Sequence, residues 1–147
     1  MVNFVDEYER QIDDHGRIIL PPKIREAVSD TVYVTQSPGE KCLHLYTKEE
    51  WERVSEKIRK LPTTTDRTVA AFVRVFFGKA TAASVDKQGR MPVAKRLIEY
   101  AGLKKDVVLV GANSRLEIWD SDEWKAYQDA LSDDIMIEGI LKYELNI

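Results

Sequence analysis

The chain is poor in the residues that cross-link or ligate. It has one cysteine, Cys42, which excludes an intramolecular disulfide framework and fits a reducing compartment. Its two histidines, His15 and His44, bring the cysteine and histidine total to three, too few and too scattered along the sequence for a structural zinc site. No apolar run is long enough to span a bilayer. The opening Met-Val-Asn-Phe-Val-Asp-Glu lacks the basic start and long apolar stretch of a secretory signal. A basic excess is also missing: the net charge of −3 argues mildly against nucleic acid as a partner.

At 147 residues, with 44% hydrophobic and 32% charged side chains, the chain has the composition of one ordinary soluble domain or two very small ones. Its charge is uneven. Residues 51–79 carry seven cations and three acids, whereas the segments on either side are net acidic. An acidic protein still binds DNA when its cations share a face, although an ordinary mixed surface accounts for the same distribution.

One pattern occurs twice. Asp13-Asp14-His15-Gly16-Arg17 and Asp86-Lys87-Gln88-Gly89-Arg90 both read Asp-x-x-Gly-Arg, 73 positions apart. An apolar residue precedes each acid (Ile12, Val85), and apolar residues follow each arginine (Ile18-Ile19-Leu20, Met91-Pro92-Val93). This is the profile of a tight turn between two strands, with glycine supplying a positive φ.

Around the first copy, residues 5–12 and 18–20 read as strands, and Pro21-Pro22 opens a short helix ending near Ser29-Asp30. Thr31–Thr35 is a middle strand, Ser37-Pro38-Gly39-Glu40 a turn, and Cys42–Tyr46 an alternating closing strand with Leu43 and Leu45 inward. Thr47 caps a helix whose apolar face carries Trp51, Val54, Ile58 and Leu61, opposite Arg53, Lys57, Arg59 and Lys60. Asp66 caps the next segment, and Val69–Phe77 reads as a helical start grading into a strand. The second copy follows the same plan: strands at 81–85, 91–93, 107–110 and 116–119, a helix at 94–101 ended by Gly102, and a helix capped by Ser121. At the 73-residue offset Leu43 meets Leu116, Leu45 meets Ile118, Tyr46 meets Trp119 and Trp51 meets Trp124. The middle strand needs an offset nearer 75, so a small insertion separates the copies there. Such agreement marks a duplicated unit. The tail from Asp133 to Ile147 is apolar enough to pack as a helix, on its own chain or on a neighbour.

The two Asp-x-x-x-Arg loops, the segment Glu117-Ile118-Trp119-Asp120 followed by Trp124, and Leu109-Val110-Gly111 resemble the MraZ family of bacterial transcriptional regulators, built from two tandem AbrB-like (SpoVT-AbrB) units. The likeness runs from about Glu7 to Leu131. It implies an α+β, β-rich fold of two swapped-hairpin units forming a pseudo-twofold β-barrel with flanking helices. The units fall at 7–50 and 80–123, joined by a helical segment at 51–79 and followed by a helical tail at 124–147. It also implies a ring-shaped homo-oligomer in the cytoplasm, associated with the nucleoid. Its partner would be double-stranded DNA, bound at direct repeats upstream of its own division and cell-wall operon, which it represses.

The chemistry of the loops fits that expectation. Arginine presents a planar fork of donors that matches phosphate oxygens and the acceptor edge of guanine. Asp13 can hold Arg17, and Asp86 can hold Arg90, restricting the fork while leaving donors free. A purely structural staple is the alternative, since exposed pairs of this kind are weak. Gly16 and Gly89 let the loops turn and approach a partner. His15 and Lys87 lie inside the loops; Lys23 and Arg25, and Lys95 and Arg96, follow them and could hold phosphates. Lys87 and Gln88 in place of Asp14 and His15 make the second loop the more cationic. No cofactor, metal, small-molecule substrate or catalytic group is expected: Cys42 and His44 form no supported nucleophile–base pair, and each loop aspartate is kept ionised by its arginine. The rival readings are an AbrB-like antitoxin that wraps a protein partner and a ring scaffold without sequence preference.

Overall fold

The computed structural model describes residues 2–147, and its architecture is α+β. Eight strands and six helices are present among these residues. In the first half, β1 (Glu7–Gln11) and β2 (Arg17–Ile19) flank the first loop, followed by α1 (Pro22–Ala27), β3 (Thr31–Gln36), β4 (Leu43–Thr47), α2 (Lys48–Arg59) and α3 (Arg67–Gly78). The second half repeats the order with β5 (Thr81–Ser84), β6 (Arg90–Pro92), α4 (Lys95–Ala101), β7 (Asp106–Ala112), β8 (Arg115–Asp120), α5 (Ser121–Ala130) and α6 (Asp133–Lys142).

The strands on either side of each loop do not pair with each other. β1 leaves its own half to pair antiparallel with β7, and β5 pairs with β3. β2 and β6 pair with one another. The result is a six-stranded sheet in the order β1-β7-β8-β4-β3-β5 and a separate two-stranded ribbon, β2-β6. The loop hydrogen bonds resemble those of a hairpin, but both strands flanking each loop pair with the other half. This is the strand exchange that the family resemblance implies.

The sheet order reads the same from either end once each strand is exchanged for its repeat. Residues 73 apart therefore face each other at two places, Ile18 opposite Met91 in the ribbon and His44 opposite Glu117 between β4 and β8. A pseudo-twofold axis passes through both. Ile18 and Met91 are fully buried and point into a core shared by both halves, with Leu20, Leu43, Leu45, Leu97, Leu109, Leu116 and Ile118. Each such side chain contributes about 1.5–3 kcal/mol by leaving water.

β4 is buried on both faces. Leu43 and Leu45 enter the shared core as expected, while Tyr46 joins a second cluster with Ile58 and Phe76, bordered by Trp51, Val54 and Phe77. That cluster explains α3. The strand-like composition of Val69–Phe77 belongs wholly to a helix, correcting the expectation that it grades into a strand. Asp66 accepts from the backbone amides of Thr68 and Val69, and Phe76 stacks on Trp51 and Phe72. Thr35 Oγ1 also donates to the Phe76 carbonyl at 2.5 Å, fixing α3 to β3. Aromatic contacts on one helical face override the β propensity of the run.

Thr47 caps α2 by accepting from the Glu50 amide, as its spacing predicts. α5 is capped by Asp120 rather than Ser121; Asp120 is 1% exposed, accepts from Asp122 and Glu123, and binds Lys104 Nζ at 2.7 Å. A buried carboxylate with a lysine partner outcompetes a hydroxyl for the free amides of the first turn. α6 forms a helix, but none of its residues is buried.

Candidate nucleic-acid interface

The two loops have nearly the same geometry. In the first, Asp13 donates its backbone amide to the Arg17 carbonyl at 2.9 Å, and Gly16 donates to the Asp13 carbonyl at 3.0 Å. Asp13 Oδ1 accepts from the amides of His15 (2.8 Å) and Arg17 (2.9 Å), and Oδ2 accepts from Arg17 Nε at 2.9 Å. In the second, Asp86 Oδ1 accepts from Gln88 (3.0 Å) and Arg90 (2.8 Å), and Oδ2 accepts from Arg90 Nε at 2.7 Å. Gly16 and Gly89 hold φ of 73° and 80°, which an L side chain adopts only with strain. The backbone amide of Arg17, with that of His15 and the arginine side chain, holds the Asp13 carboxyl below the usual carboxylate range. The Arg90 amide and guanidinium do the same for Asp86.

Each arginine is thus fixed chiefly through Nε. Neither Nη of Arg17 has an intramolecular partner among the described residues, and Arg90 Nη2 only approaches Gln88 Oε1 at 3.5 Å. The terminal amino groups, which carry four of the five guanidinium donors, remain available. The staple and the display of donors are one arrangement.

The ribbon brings the loops together. Arg17 pairs with Pro92 and Arg90 with Ile19, so the arginines are diagonal neighbours roughly 7–8 Å apart at the backbone. Ile18 and Met91 occupy the inward face, which leaves Arg17, Ile19, Arg90 and Pro92 on the outward one. The loops are also buttressed from the opposite repeat: the Gly89 carbonyl accepts from the Leu20 amide at 2.8 Å, and the Gly16 carbonyl from the Val93 amide at 2.9 Å.

The buttressing side chains break the symmetry. Arg25 lies over Gly89 and donates through Nη2 to the Lys87 carbonyl at 2.6 Å. Its repeat counterpart, Ile98, makes only an apolar contact beside Gly16. The second loop therefore gains the Arg25 cation as well as Lys87. Arg25, expected to hold phosphate, spends Nη2 on the loop, and its other guanidinium donors have no partner among the described residues. Lys23 in α1 and Lys95 at the start of α4 are exposed without an ion pair among the described residues, while Arg96 directs Nη2 to the carbonyls of Lys79 and Ala80, each at 3.4 Å. His15 is exposed and contributes its backbone amide to Asp13.

A polar cluster on the pseudo-twofold axis is not evident in the sequence. The ligating atoms of Cys42, His44 and Glu117 lie within 4.8 Å of one another, although Glu117 is more than 70 positions from the other two along the chain. Glu117 Oε2 accepts from Arg115 Nε (2.9 Å) and Nη2 (2.8 Å), Oε1 accepts from Trp119 Nε1 (3.0 Å), and His44 Nε2 is 3.3 Å away. Burial works to raise the Glu117 carboxyl, but His44, Trp119 and Arg115 together hold it down at about 2. Burial pushes the Cys42 thiol up to about 12. A carboxylate already neutralised by a guanidinium beside an unionised thiol makes a structural network rather than a nucleophile or a cation cradle.

A family model described as "MraZ protein, putative antitoxin-like" matches the chain twice, over residues 4–72 and 76–138. The chain belongs to the MraZ family. A protein of Acetivibrio thermocellus named "Transcriptional regulator MraZ" is 44% identical over 124 residues, covering 84% of this chain and 85% of that protein. Proteins of the same name from Ligilactobacillus salivarius and Heliobacterium modesticaldum are each 40% identical over 144 residues, covering 97% of this chain and 99% of their own. The family is one of regulators, not enzymes. The two matched segments end inside α3 and α6, the helices that hold the same place in the element order of the two halves. No helix among the described residues is long and apolar enough to cross a membrane.

Proposed function

We propose that the chain is a sequence-specific, double-stranded-DNA-binding transcriptional regulator of the MraZ type, acting in the cytoplasm at the nucleoid. The observation that carries this reading is the outward face of the β2-β6 ribbon, where Arg17 and Arg90 are held by Nε with their terminal donors available. The names of the relatives support the same reading. Arg17 and Arg90 are assigned to base edges or phosphates. Asp13 and Asp86 hold them, and Gly16 and Gly89 let the backbone come close. Lys23, Lys87 and Lys95 supply phosphate contacts, with His15 at the rim. Arg25 and Arg96, each with Nη2 on a backbone carbonyl, position the frame and offer their other donors to phosphates. The targets are direct repeats upstream of its own division and cell-wall operon, repressed by a ring of subunits. Each 73-residue repeat supplies one loop, and a ring that matches repeated boxes multiplies weak single contacts through effective concentration.

Retardation of DNA carrying the chain's own upstream region tests this directly. Binding should fall steeply with salt because phosphate contacts release counterions. Arg17→Ala and Arg90→Ala should each cost about 1–3 kcal/mol per lost bidentate contact, a loss compounded across the subunits of a ring, with an unchanged circular dichroism spectrum. Arg90→Ala should be the more damaging, because Lys87 and Arg25 stand beside it. Wild-type affinity in both variants would remove the loop assignment. Capture of a protein ligand together with failure to retard any DNA would favour the antitoxin-like reading.

A further inference from the structure

The two halves differ most in their last helix. α3 covers the aromatic face of α2 and is fixed to β3 through Thr35, whereas in its counterpart α6 only Ile140 is even half-buried. Met136, Ile137, Ile140 and Leu141 recur at helical spacing on α6, and Met136, Ile137 and Leu141 are 52%, 50% and 69% exposed. Tyr143 and Leu145 continue the exposed apolar surface beyond it. The helix and its end also carry Asp133, Asp134, Glu138 and Glu144, none of which has an ion-pair partner among the described residues.

A surface of opposite character lies between α2 and α3. A groove of about 410 Å³ is lined by Trp51, Ile58, Arg59, Val73 and Phe77. Lys57, Lys60, Arg67 and Arg74 on the same two helices and their connection form no ion pair among the described residues, and residues 51–79 hold seven cations against three acids. Arg59 in the groove lining is paired with Glu56, but the unpaired cations on the flanking helices give the α2-α3 surface a charge opposite to that of α6, where the acids outnumber Lys142, and both surfaces are apolar.

We infer that α6 of one copy docks in the α2-α3 groove of the next copy of this chain. The surfaces are different patches of one molecule, so the contact is head-to-tail, the kind that closes into a ring when its rotation permits. The inference rests on the proposed self-assembly and identifies the surface that performs it. The DNA-facing ribbon does not take part.

Two measurements test it on the full-length protein. Cys42 is fully buried, so introduced thiols can be read without replacing it. Ile137→Cys and Val73→Cys chains, carrying different tags, are mixed and oxidised. A disulfide joining the two tags is expected, with little linkage in either variant alone. In parallel, light scattering compares wild type with a chain ending at Leu131 and with the Asp133→Lys/Asp134→Lys variant. Both should lose at least half the assembly mass, and Arg67→Glu/Arg74→Glu should restore mass to the lysine variant. A wild-type assembly that survives truncation at full mass overturns the tail contact while leaving assembly intact. A monomeric wild type overturns the assembly reading itself. An intramolecular disulfide in a doubly substituted monomer places α6 on its own chain, and charge reversal on α3 that alters DNA retention but not mass assigns that surface to DNA; either result overturns the inference.

Discussion

Replacing Glu117 by glutamine removes one charge at the pseudo-twofold axis and keeps the side-chain shape. The carboxylate is 13% exposed and accepts from Arg115 and Trp119 beside His44. Its fall from an ordinary 4.5 to about 2 corresponds to about 3 kcal/mol of native stability. Because the native value lies below the unfolded one, the stabilisation is fully present above 4.5 and is lost as pH falls toward about 2. At pH 3 less than half of it should remain by the same linkage relation. Glutamine also turns an amide toward one of the three donors, which loses its acceptor. Urea denaturation at fixed protein concentration should therefore show Glu117→Gln less stable by about 3 kcal/mol at pH 7, a midpoint lower by about 1.5 M for a slope near 2 kcal/mol per M. The gap should shrink by more than half by pH 3. A gap of the same size at both pH values would show that shape, not charge, carries the contribution, and the electrostatic account of the axis would be wrong.

Gly111→Ala would place a methyl group 2.5 Å from the Val5 backbone, so it should cost about 1–3 kcal/mol and raise hydrogen exchange in β1 while sparing the ribbon. Cys42, with its thiol pushed up to about 12, should resist iodoacetamide at pH 8 in the folded protein and react promptly in denaturant. Arg25→Ala should free the second loop alone, seen as faster exchange at Gln88–Arg90 than at His15–Arg17 and a several-fold loss of DNA affinity; equal loosening of both loops would contradict its assignment to Gly89 and Lys87.

The duplication, the loop residues and most element positions are legible in the sequence because each rests on local chemistry: glycine before arginine, Thr47 and Asp66 before helices, Gly102 after one. The identity of the partner strands is not. β1 and β2 look like two arms of one hairpin, and only the shared core shows that Tyr8 sits opposite Leu109 and Ile18 opposite Met91. The run Val69–Phe77 misleads for a related reason. Its β-branched and aromatic residues answer to Trp51 and Tyr46, contacts that no local window contains. The Glu117 network is hidden likewise, since His44 and Arg115 are 71 positions apart. One asymmetry was accessible: aligning Arg25 with Ile98 at the repeat interval distinguishes the two loops before any coordinate is known.

The facing of His44 and Glu117 bears on why two units share one chain. In a dimer of identical halves, a residue on the twofold axis must confront its own copy, so a glutamate there would meet a glutamate and a histidine a histidine. Covalent fusion lifts that restriction and lets the axis hold a complementary acid–base pair. The same freedom reaches the two loops, where one copy acquired an arginine buttress and the other an isoleucine. If the halves are produced as separate polypeptides and mixed, they should choose the unlike partner over themselves, since only that pairing juxtaposes His44 with Glu117. Ancestral symmetry would then survive as architecture while the recognition surface has become directional.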